Sequence, residues 1–184
     1  MFVCEGSLVL RSATPADAPA LCAWWNDGAV MAHAGFPDGL GMTEEKIVFQ
    51  LEPETGKTDR AQLIIEYEGR AIGEASYRLL DSRTAEAGWK ICDTAYQNRG
   101  LGTRVILMTM GYLLTDPVFQ ALHAVNRVCW DTNLNNLRAQ HVYEEKIKAR
   151  RTGVLKDNWR DQRGVLQSTV TYELCLEDYL THHG

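Results

Sequence analysis

The fold is decided by Tyr96-Gln97-Asn98-Arg99-Gly100-Leu101-Gly102-Thr103, a glycine-containing stretch near the middle of the chain. It follows an apolar segment, Trp89-Lys90-Ile91-Cys92, and opens a run whose apolar residues recur at helical spacing. This order predicts a strand, a glycine turn and a helix. Glycine lets the backbone approach a ligand closely, and the first helical turn offers unpaired N–H groups to an anion. We therefore predict that the turn binds a phosphate or pyrophosphate.

Two familiar phosphate-binding loops do not match this stretch. A P-loop requires Gly-Lys-Ser/Thr at the helix start, but the chain has Gly102-Thr103-Arg104 there. A dinucleotide-binding turn requires a third glycine where the chain has Val105. Because Gly-x-Gly also occurs in tight turns that bind nothing, the flanking elements must decide between a ligand site and a simple turn.

The flanking segments predict a mixed sheet. A strand at residues 8–11 precedes two helices, which begin at Thr14-Pro15 and at Thr43. Alternating apolar residues predict three antiparallel strands before the glycine turn, at residues 61–67, 71–77 and 85–92. The helix after the turn ends at Asp116-Pro117, and the remaining segments predict a strand at 123–131, a helix at 136–147, a strand at 149–155, a polar loop at 156–164 and a strand at 170–176. The expected class is α+β (mixed α/β), with about seven strands in one central sheet and about four flanking helices.

Four motifs, in this order, give the chain a resemblance to a known family. They are Leu8-Val9-Leu10-Arg11-x-Ala13-x-Pro15-x-Asp17, the hairpin end Ile72-Gly73, the turn Gln97-x-x-Gly100-x-Gly102, and Asn136-x-x-Ala139-x-x-x-Tyr143-Glu144. The third motif resembles the acetyl-CoA pyrophosphate loop of the GNAT family of N-acetyltransferases. With Trp159-Arg160-Asp161-x-x-Gly164, the chain is also similar to the RimJ/RimL branch of that family and to some aminoglycoside 6'-N-acetyltransferases.

The resemblance implies one GNAT domain over residues 1–184, with acetyl-CoA as the co-substrate. The acceptor would be a primary amine, either of a polyamine-like or aminoglycoside-like small molecule or of a protein N-terminus. One segment departs from the family pattern, because Glu145-Lys146-Ile147-Lys148-Ala149 is one residue longer and lacks the usual Gly and Phe. This departure keeps a second interpretation open, a non-catalytic acyl-CoA-binding or regulatory domain. A protein-interaction module built on Trp24-Trp25 would leave the glycine turn unexplained.

The resemblance places the coenzyme on the glycine turn and on the strand before it. The pyrophosphate would be held by the turn, chiefly through backbone N–H groups, and the pantetheine arm would pair with the strand, where one N–H could polarise the thioester carbonyl. Asn136 would either bind the arm or cap its helix. The residues implied for the turn are Gln97, Asn98, Arg99, Gly100, Leu101, Gly102, Thr103 and Arg104, and those for the strand are Lys90, Ile91 and Cys92.

The resemblance also suggests catalytic residues. Tyr143 would give a proton to the departing thiolate, although a tyrosine on a short helix is more often only packed. Glu86 is the first candidate for the general base and Glu74 the second, and either could be a solvated strand residue. Asp27 and His33, between the two early helices, would contact the acceptor.

Composition limits the other classes of function. A chain of 184 residues with 45% hydrophobic and 23% charged residues suits one soluble domain. Its five scattered cysteines form no Cys-x-x-Cys pair, so we expect neither a disulfide framework nor a metal site. Because no basic stripe with interleaved aromatic residues occurs, we expect no nucleic-acid partner. Without an apolar run of about 20 residues, or a basic region before an apolar one at the N-terminus, we expect no membrane association and a cytoplasmic location. The sheet edges and the final strands allow either a monomer or a homodimer.

Overall fold

A mixed sheet of eight strands forms the centre of the part of the chain that the structure describes, residues 2–52 and 56–184 of a computed structural model. The strands are β1 (Phe2–Glu5), β2 (Leu8–Ser12), β3 (Arg60–Tyr67), β4 (Arg70–Leu79), β5 (Thr84–Ile91), β6 (Arg127–Asn133), β7 (Arg150–Arg160) and β8 (Leu166–Cys175). The helices are α1 (Ala18–Trp25), α2 (Gly28–Met31), α3 (Glu44–Leu51), α4 (Leu101–Thr115), α5 (Pro117–His123), α6 (Leu137–His141) and α7 (Leu176–His183). Across the sheet the strand order is β1-β2-β3-β4-β5-β6-β8-β7, which confirms the expected α+β class.

The sheet forks between β5 and β6. These strands are parallel because the chain crosses over through α4 and α5, and every other neighbouring pair among the described strands is antiparallel. They pair over only three positions, and the last pair is Glu86 with Cys129. Beyond that pair β5 continues to Ile91 and β6 to Asn133 without meeting. The fork therefore leaves two strand edges free to pair with something else.

Both faces of the sheet are covered, which explains the apolar run Leu63-Ile64-Ile65 in β3. Successive strand residues point to opposite faces, so Leu63 and Ile65 belong to the main core under α4. Ile64 belongs to a second core under α1 and α3, with Leu21 and Ile47. All five side chains are fully buried, and each contributes roughly 1.5–3 kcal/mol by its removal from water.

Some elements go beyond the predicted order. β1 supplies the eighth strand, α7 follows β8, and Asp116-Pro117 both ends α4, as predicted, and starts α5. The Asp116 carboxylate accepts hydrogen bonds from the N–H groups of Val118 and Phe119, at 3.1 and 2.8 Å, so it caps the added helix. In the described residues no single helix is both long and apolar enough to cross a membrane, although α4 and α5 meet that test together across a 55° bend.

The predicted polar loop at residues 156–164 is wrong in its first half. Residues 156–160 continue β7, and the connection to β8 spans only residues 161–165. The register of β7 on β8 shifts between Leu155 and Trp159, where Asp157 has a positive φ of 49°. Because β7 is an exposed edge strand with a bulge, polar side chains suit it and no apolar alternation marks it.

Candidate active site

The fork encloses a cavity of about 960 Å³. One wall is the unpaired end of β5, residues 87–91, and the other is the unpaired end of β6, residues 130–133. Two further groups of residues line it, together with Asn136, Ala139, Val142, Tyr143, Thr169 and Thr171. The glycine-turn side consists of Gln97, Gly102, Val105, Ile106 and Arg138, and the α2 side consists of Ala29, Val30, His33, Ala34, Leu155, Asn158 and Trp159.

The glycine turn has the geometry that the sequence predicts. Gly100 has a φ of +75° and precedes the first residue of α4, and Asn98 is also left-handed with a φ of 59°. The first intrahelical bond runs from the N–H of Arg104 to the Gly100 carbonyl, so the preceding N–H groups lie at the helix start without helical acceptors. Since α4 has 15 residues, its dipole adds to their attraction for an anion.

Side chains of the turn are partly committed to other contacts. Gln97 donates to the Ile91 carbonyl at 2.9 Å and accepts from Arg138 at 3.0 Å, which joins β5, the turn and α6. Arg104 turns away to the Glu5 carboxylate at 3.0 Å, and the Arg99 guanidinium lies 5.2 Å from the centre of the Tyr96 ring. Arg138, which the sequence analysis missed, is therefore the cation that lines the cavity on this side.

The three residues predicted to bind the pantetheine arm, two at the end of β5 and one just after it, differ in their access to the cavity. Lys90 and Ile91 line it. The Lys90 ammonium extends to Glu74 at 3.4 Å. Cys92 is buried, its N–H donates to the Ile72 carbonyl at 2.9 Å, and burial raises the pKa of its thiol to about 12. The free strand edge thus lies at residues 87–91 and not at Cys92.

Tyr143 stands on a π-helical turn, Val142–Lys146, which follows α6 directly. The N–H of Ile147 bonds to the carbonyl of Val142, so the one-residue excess in this segment is absorbed as a wider helical turn. The Tyr143 side chain is only 8% exposed and packs against Trp130 and Tyr172, at ring distances of 5.5 and 5.2 Å. Its hydroxyl has no hydrogen-bond partner among the described residues, and the residue lines the cavity.

Burial raises the pKa of Tyr143 to about 12, and the negative charge of Asp131 adds to this effect. The phenol therefore keeps its proton at neutral pH. Nearby, the indole N–H of Trp130 is buried and has no acceptor within the described ranges, although Trp130 also lines the cavity. Two unpaired donors, one phenol and one indole, thus stand at the wall of one cavity.

A second cavity, of about 640 Å³, opens on the face of α1 and α3. It shares Ala87, Gly88 and Asp131 with the first cavity, so the two meet at the fork. Glu86 lines only the second cavity, and its carboxylate accepts from the Arg78 guanidinium at 2.5 Å. Asp131, which the sequence analysis did not single out, lines both cavities.

Only one of the two predicted acceptor residues lines the cavity. His33 lines the first cavity, whereas Asp27 caps α2 by accepting from the N–H of Ala29 at 2.8 Å. Asn136 has both proposed roles in reach, because it caps α6 through Ala139 at 3.2 Å and also lines the cavity. Glu74 accepts from Trp25 and Gln62 and pairs with Lys90, so it ties α1 to the sheet.

A strap at residues 28–39 covers the α2 side and is fastened to the turn between β7 and β8. The Trp159 ring lies against Gly35, where an added Cβ would come within 2.5 Å of the ring. The Gln162 side chain donates to the Gly39 carbonyl and accepts from the N–H of Asp38, both at 3.0 Å. Arg163 pairs with the Asp38 carboxylate. Two segments far apart in sequence thus form one wall.

The described residues hold no group of three His, Cys, Asp or Glu side chains that could bind a metal ion. The cavity is lined by a helix N-terminus, free strand edges, unpaired donors and a carboxylate. Such a set can bind an extended anionic ligand and move protons.

Comparison with known proteins gives one family. The profile of the acetyltransferase (GNAT) domain matches residues 7–146. A search of curated proteins finds no match. Among solved structures, many chains share the fold.

Three of these solved structures illustrate the likeness. The spermidine N-acetyltransferase of Vibrio cholerae, in complex with CoA and spermine, has a TM-score of 0.80 and 16% identity over 96% of this chain and 99% of its own. RimL, a ribosomal protein alpha-N-acetyltransferase in complex with coenzyme A, has a TM-score of 0.81 and 14% identity over 97% and 99%. A probable acetyltransferase has a TM-score of 0.79 and 20% identity over 97% and 98%. At these identities the likeness is one of fold.

Proposed function

The chain belongs to the GNAT family of acetyltransferases, and on that premise we propose that it transfers the acetyl group of acetyl-CoA to a primary amine. One observation carries the proposal. The cavity in the fork extends from the N-terminus of α4 to the unpaired hydroxyl of Tyr143, along strand edges that nothing in the described chain occupies. Such a path suits a long ligand with phosphates at one end and a reactive group at the other.

The phosphate groups of the coenzyme would bind at the glycine turn. The first N–H groups of α4 supply donors, and the φ of +75° at Gly100 directs the backbone into this turn. Arg138 adds a guanidinium from α6, held in place by Gln97. Each exposed charge at a helix end contributes only about 0.3–1 kcal/mol, so the affinity comes from several such contacts together.

The pantetheine arm would lie between β5 and β6. Its amide groups can pair with the free edge of residues 87–91, as an added strand does, since β6 leaves that edge after Cys129. A backbone N–H on this edge would then stabilise the oxyanion that forms at the thioester carbonyl. Trp130 supplies a further unpaired donor on the facing wall.

Tyr143 would protonate the departing thiolate. With a pKa of about 12 the phenol is a weaker acid than a thiol of about 8.5. Full transfer would therefore cost roughly 5 kcal/mol if nothing else changed. The phenol begins as a hydrogen-bond donor to sulfur, and transfer becomes favourable only as negative charge develops there or is removed nearby.

The acceptor would be an amine of a small molecule or of a protein N-terminus. The names of two similar structures indicate a polyamine for one protein and a protein N-terminus for the other. At the fork of this chain Arg78 pairs with Glu86, which leaves Asp131 as the carboxylate without an ion pair among the described residues. This arrangement suits a single ammonium group at the reacting position better than several.

The alternative, a coenzyme-binding domain without catalysis, was motivated by the altered segment after Tyr143. The π-helical turn accommodates the extra residue and keeps Tyr143 in the cavity wall. The altered segment therefore gives less reason to expect a domain without catalysis. The test is thiol release from acetyl-CoA with purified protein and a panel of polyamines, aminoglycosides, simple monoamines and short peptides. Peptides with a blocked N-terminus serve as matched controls.

We expect thiol release with at least one class of free amine and none with its blocked counterpart. If no amine of the panel caused thiol release while coenzyme A still bound, the result would contradict catalysis and favour a coenzyme-binding domain without catalysis.

A further inference from the structure

Resting on the proposed function, we propose that Asp131 is the group that takes the proton from the acceptor amine. From the sequence, Glu86 is the first candidate for this role and Glu74 the second. The structure provides the means to compare all three carboxylates, because each belongs to a strand at or beside the fork.

Asp131 stands where the two cavities meet. It lies two residues beyond Cys129, the last residue of β6 that pairs with β5, and it lines both the coenzyme cavity and the cavity on the face of α1 and α3. Gly88 lines the same two cavities from β5, and because it has no side chain it adds no bulk between them. An amine that enters from either cavity reaches Asp131 at the place where the free strand edge begins.

The other two carboxylates are engaged. Glu86 accepts from Arg78 at 2.5 Å, and Glu74 accepts from Trp25 and Gln62, each at 2.8 Å. Lys90 adds an ammonium to Glu74 at 3.4 Å. For Asp131 the structure shows neither an ion pair nor a side-chain hydrogen bond within residues 2–52 and 56–184. It alone of the three keeps its oxygen atoms free for a proton.

The titratable groups around Asp131 come from several elements. Glu86 faces it from β5 with Arg78 of β4 behind, and Tyr143 faces it from the π-helical turn. His33, Lys90 and Arg138 line the first cavity with it, and Arg60 lines the second. Desolvation raises the pKa of Asp131 above that of an ordinary aspartate, and the negative charge of Glu86 raises it further. A base works best when its pKa approaches the working pH, so this environment improves Asp131 as a base.

The steps balance without any added reactant. The ammonium gives one proton to the Asp131 carboxylate, and the freed lone pair forms a C–N bond to the thioester carbonyl carbon while the C=O π pair moves to oxygen. As the oxyanion re-forms the C=O bond, the C–S bond breaks, its electron pair leaves on sulfur, and the thiolate takes the proton of Tyr143. The new amide nitrogen loses its second proton through water to the phenolate, and Asp131 returns its proton to solvent.

The two proton transfers are coupled by charge. The carboxylate of Asp131 is one of the two causes that raise the pKa of Tyr143. Once Asp131 has taken the amine proton it is neutral, and that contribution disappears. Tyr143 thus becomes a stronger acid at the stage when the thiolate forms.

A titration of the protein without substrate tests the state of Asp131. Aspartate carboxyl groups carrying ¹³C are followed by NMR in the wild type, in Asp131→Asn and in Glu86→Gln. We expect one resonance with a pKa above the ordinary value of about 3.9. It should be absent from Asp131→Asn and shifted to a lower pKa in Glu86→Gln. A resonance of Asp131 in the ordinary range would overturn the proposal.

The pH dependence of turnover tests the role itself, with the amine that gives most thiol release. In the wild type kcat/KM should level off above the pKa of Asp131. In Asp131→Asn it should be about 10²–10³-fold lower at neutral pH and keep rising about tenfold per pH unit toward the pKa of the amine. Asp131→Glu should restore part of the plateau, and coenzyme A affinity should stay within about twofold in each variant.

Glu86→Gln decides between the two carboxylates. We expect it to keep the plateau and to lose less than about fivefold in kcat/KM. A plateau retained in Asp131→Asn, or lost in Glu86→Gln, would overturn the assignment. If the wild type acetylated no amine, the proposed function would fail, and the NMR titration would still decide whether Asp131 is a raised, unpaired carboxyl group.

Discussion

The glycine-turn side and the α2 side of the cavity are built in different ways. The first is mainly one continuous stretch, residues 97–106, which offers backbone groups and the start of a helix, with Arg138 added from α6. The second joins the strap at residues 28–39 to β7, and its walls are side chains. A site made of backbone groups can bind the same ligand even when its side chains change, whereas a site made of side chains can change its ligand without a change of fold. We therefore expect the glycine-turn side to determine coenzyme binding and the α2 side to determine which acceptor is used.

The largest expected effect touches neither side. Tyr143→Phe should lower kcat by about 10²–10⁴-fold, because it removes the proton for the thiolate. The lost hydroxyl has no partner in residues 2–52 and 56–184, so the variant leaves no donor or acceptor orphaned and the fold should keep its stability. Steady-state kinetics measure the loss of kcat, and coenzyme A binding shows whether the folded site is kept.

The matched control is Tyr172→Phe, since the Tyr172 hydroxyl donates to Glu144 at 2.8 Å and that residue is not part of the cavity wall. It should lose about 1 kcal/mol of stability and little kcat. An undiminished kcat in Tyr143→Phe would remove Tyr143 from the chemistry.

The next effect concerns the glycine-turn side alone. Gly100→Val should weaken coenzyme A binding by about 10²-fold or more, because a β-branched residue at a φ of +75° distorts the helix start. Gly69→Val is the control. Its φ is +76°, both glycines have no atom within 4 Å of an added Cβ, and Gly69 lies in the β3–β4 turn. Calorimetric titration with coenzyme A should show normal affinity in the control, and equal losses in both variants would contradict the phosphate assignment.

A third change acts on the link between α1 and the sheet. Glu74→Ala leaves the donors of Trp25, Gln62 and Lys90 without their acceptor, which should cost about 2–3 kcal/mol of unfolding free energy. Urea denaturation measures it. Glu86→Ala, which breaks a more exposed pair with Arg78, should cost less than about 1 kcal/mol. A larger loss of unfolding free energy in Glu86→Ala than in Glu74→Ala would contradict the structural role given to Glu74.

The smallest expected effect concerns the hydrogen bonds that hold the strap at residues 28–39. Gln162→Ala removes two hydrogen bonds to residues 38 and 39, so the KM for the acceptor should rise roughly three- to tenfold with coenzyme A affinity unchanged. Arg163→Ala removes only an exposed ion pair and should change KM less. If coenzyme affinity fell as much as acceptor affinity, the two sides would not be independent.

The order of elements and the glycine turn could be predicted because their signals are local. Apolar periodicity marked the strands and α4, and the two glycines marked the turn into that helix. β7 was partly missed because an exposed, bulged edge strand carries polar residues on both faces. The extra residue after Tyr143 was visible in the sequence, but its accommodation as a π-helical turn depends on the neighbouring packing.

The acceptor side could not be predicted in the same way. Arg78 and Glu86 face each other through the register of β4 on β5, and a register follows from the turn geometry and not from residue types alone. Asp131 matters because β6 leaves β5 two residues earlier, and no local motif announces where two parallel strands diverge. Arg138 reaches the cavity through the placement of α6.

The most direct test follows the acetyl group itself. Wild-type protein is incubated with acetyl-CoA labelled with ¹³C in the acetyl group and with the best amine of the panel, and the products are examined by NMR and mass spectrometry. We expect the label to appear as an amide on the acceptor nitrogen, in a one-to-one ratio with free thiol. Label found only in acetate or in unreacted acetyl-CoA would contradict N-acetyl transfer.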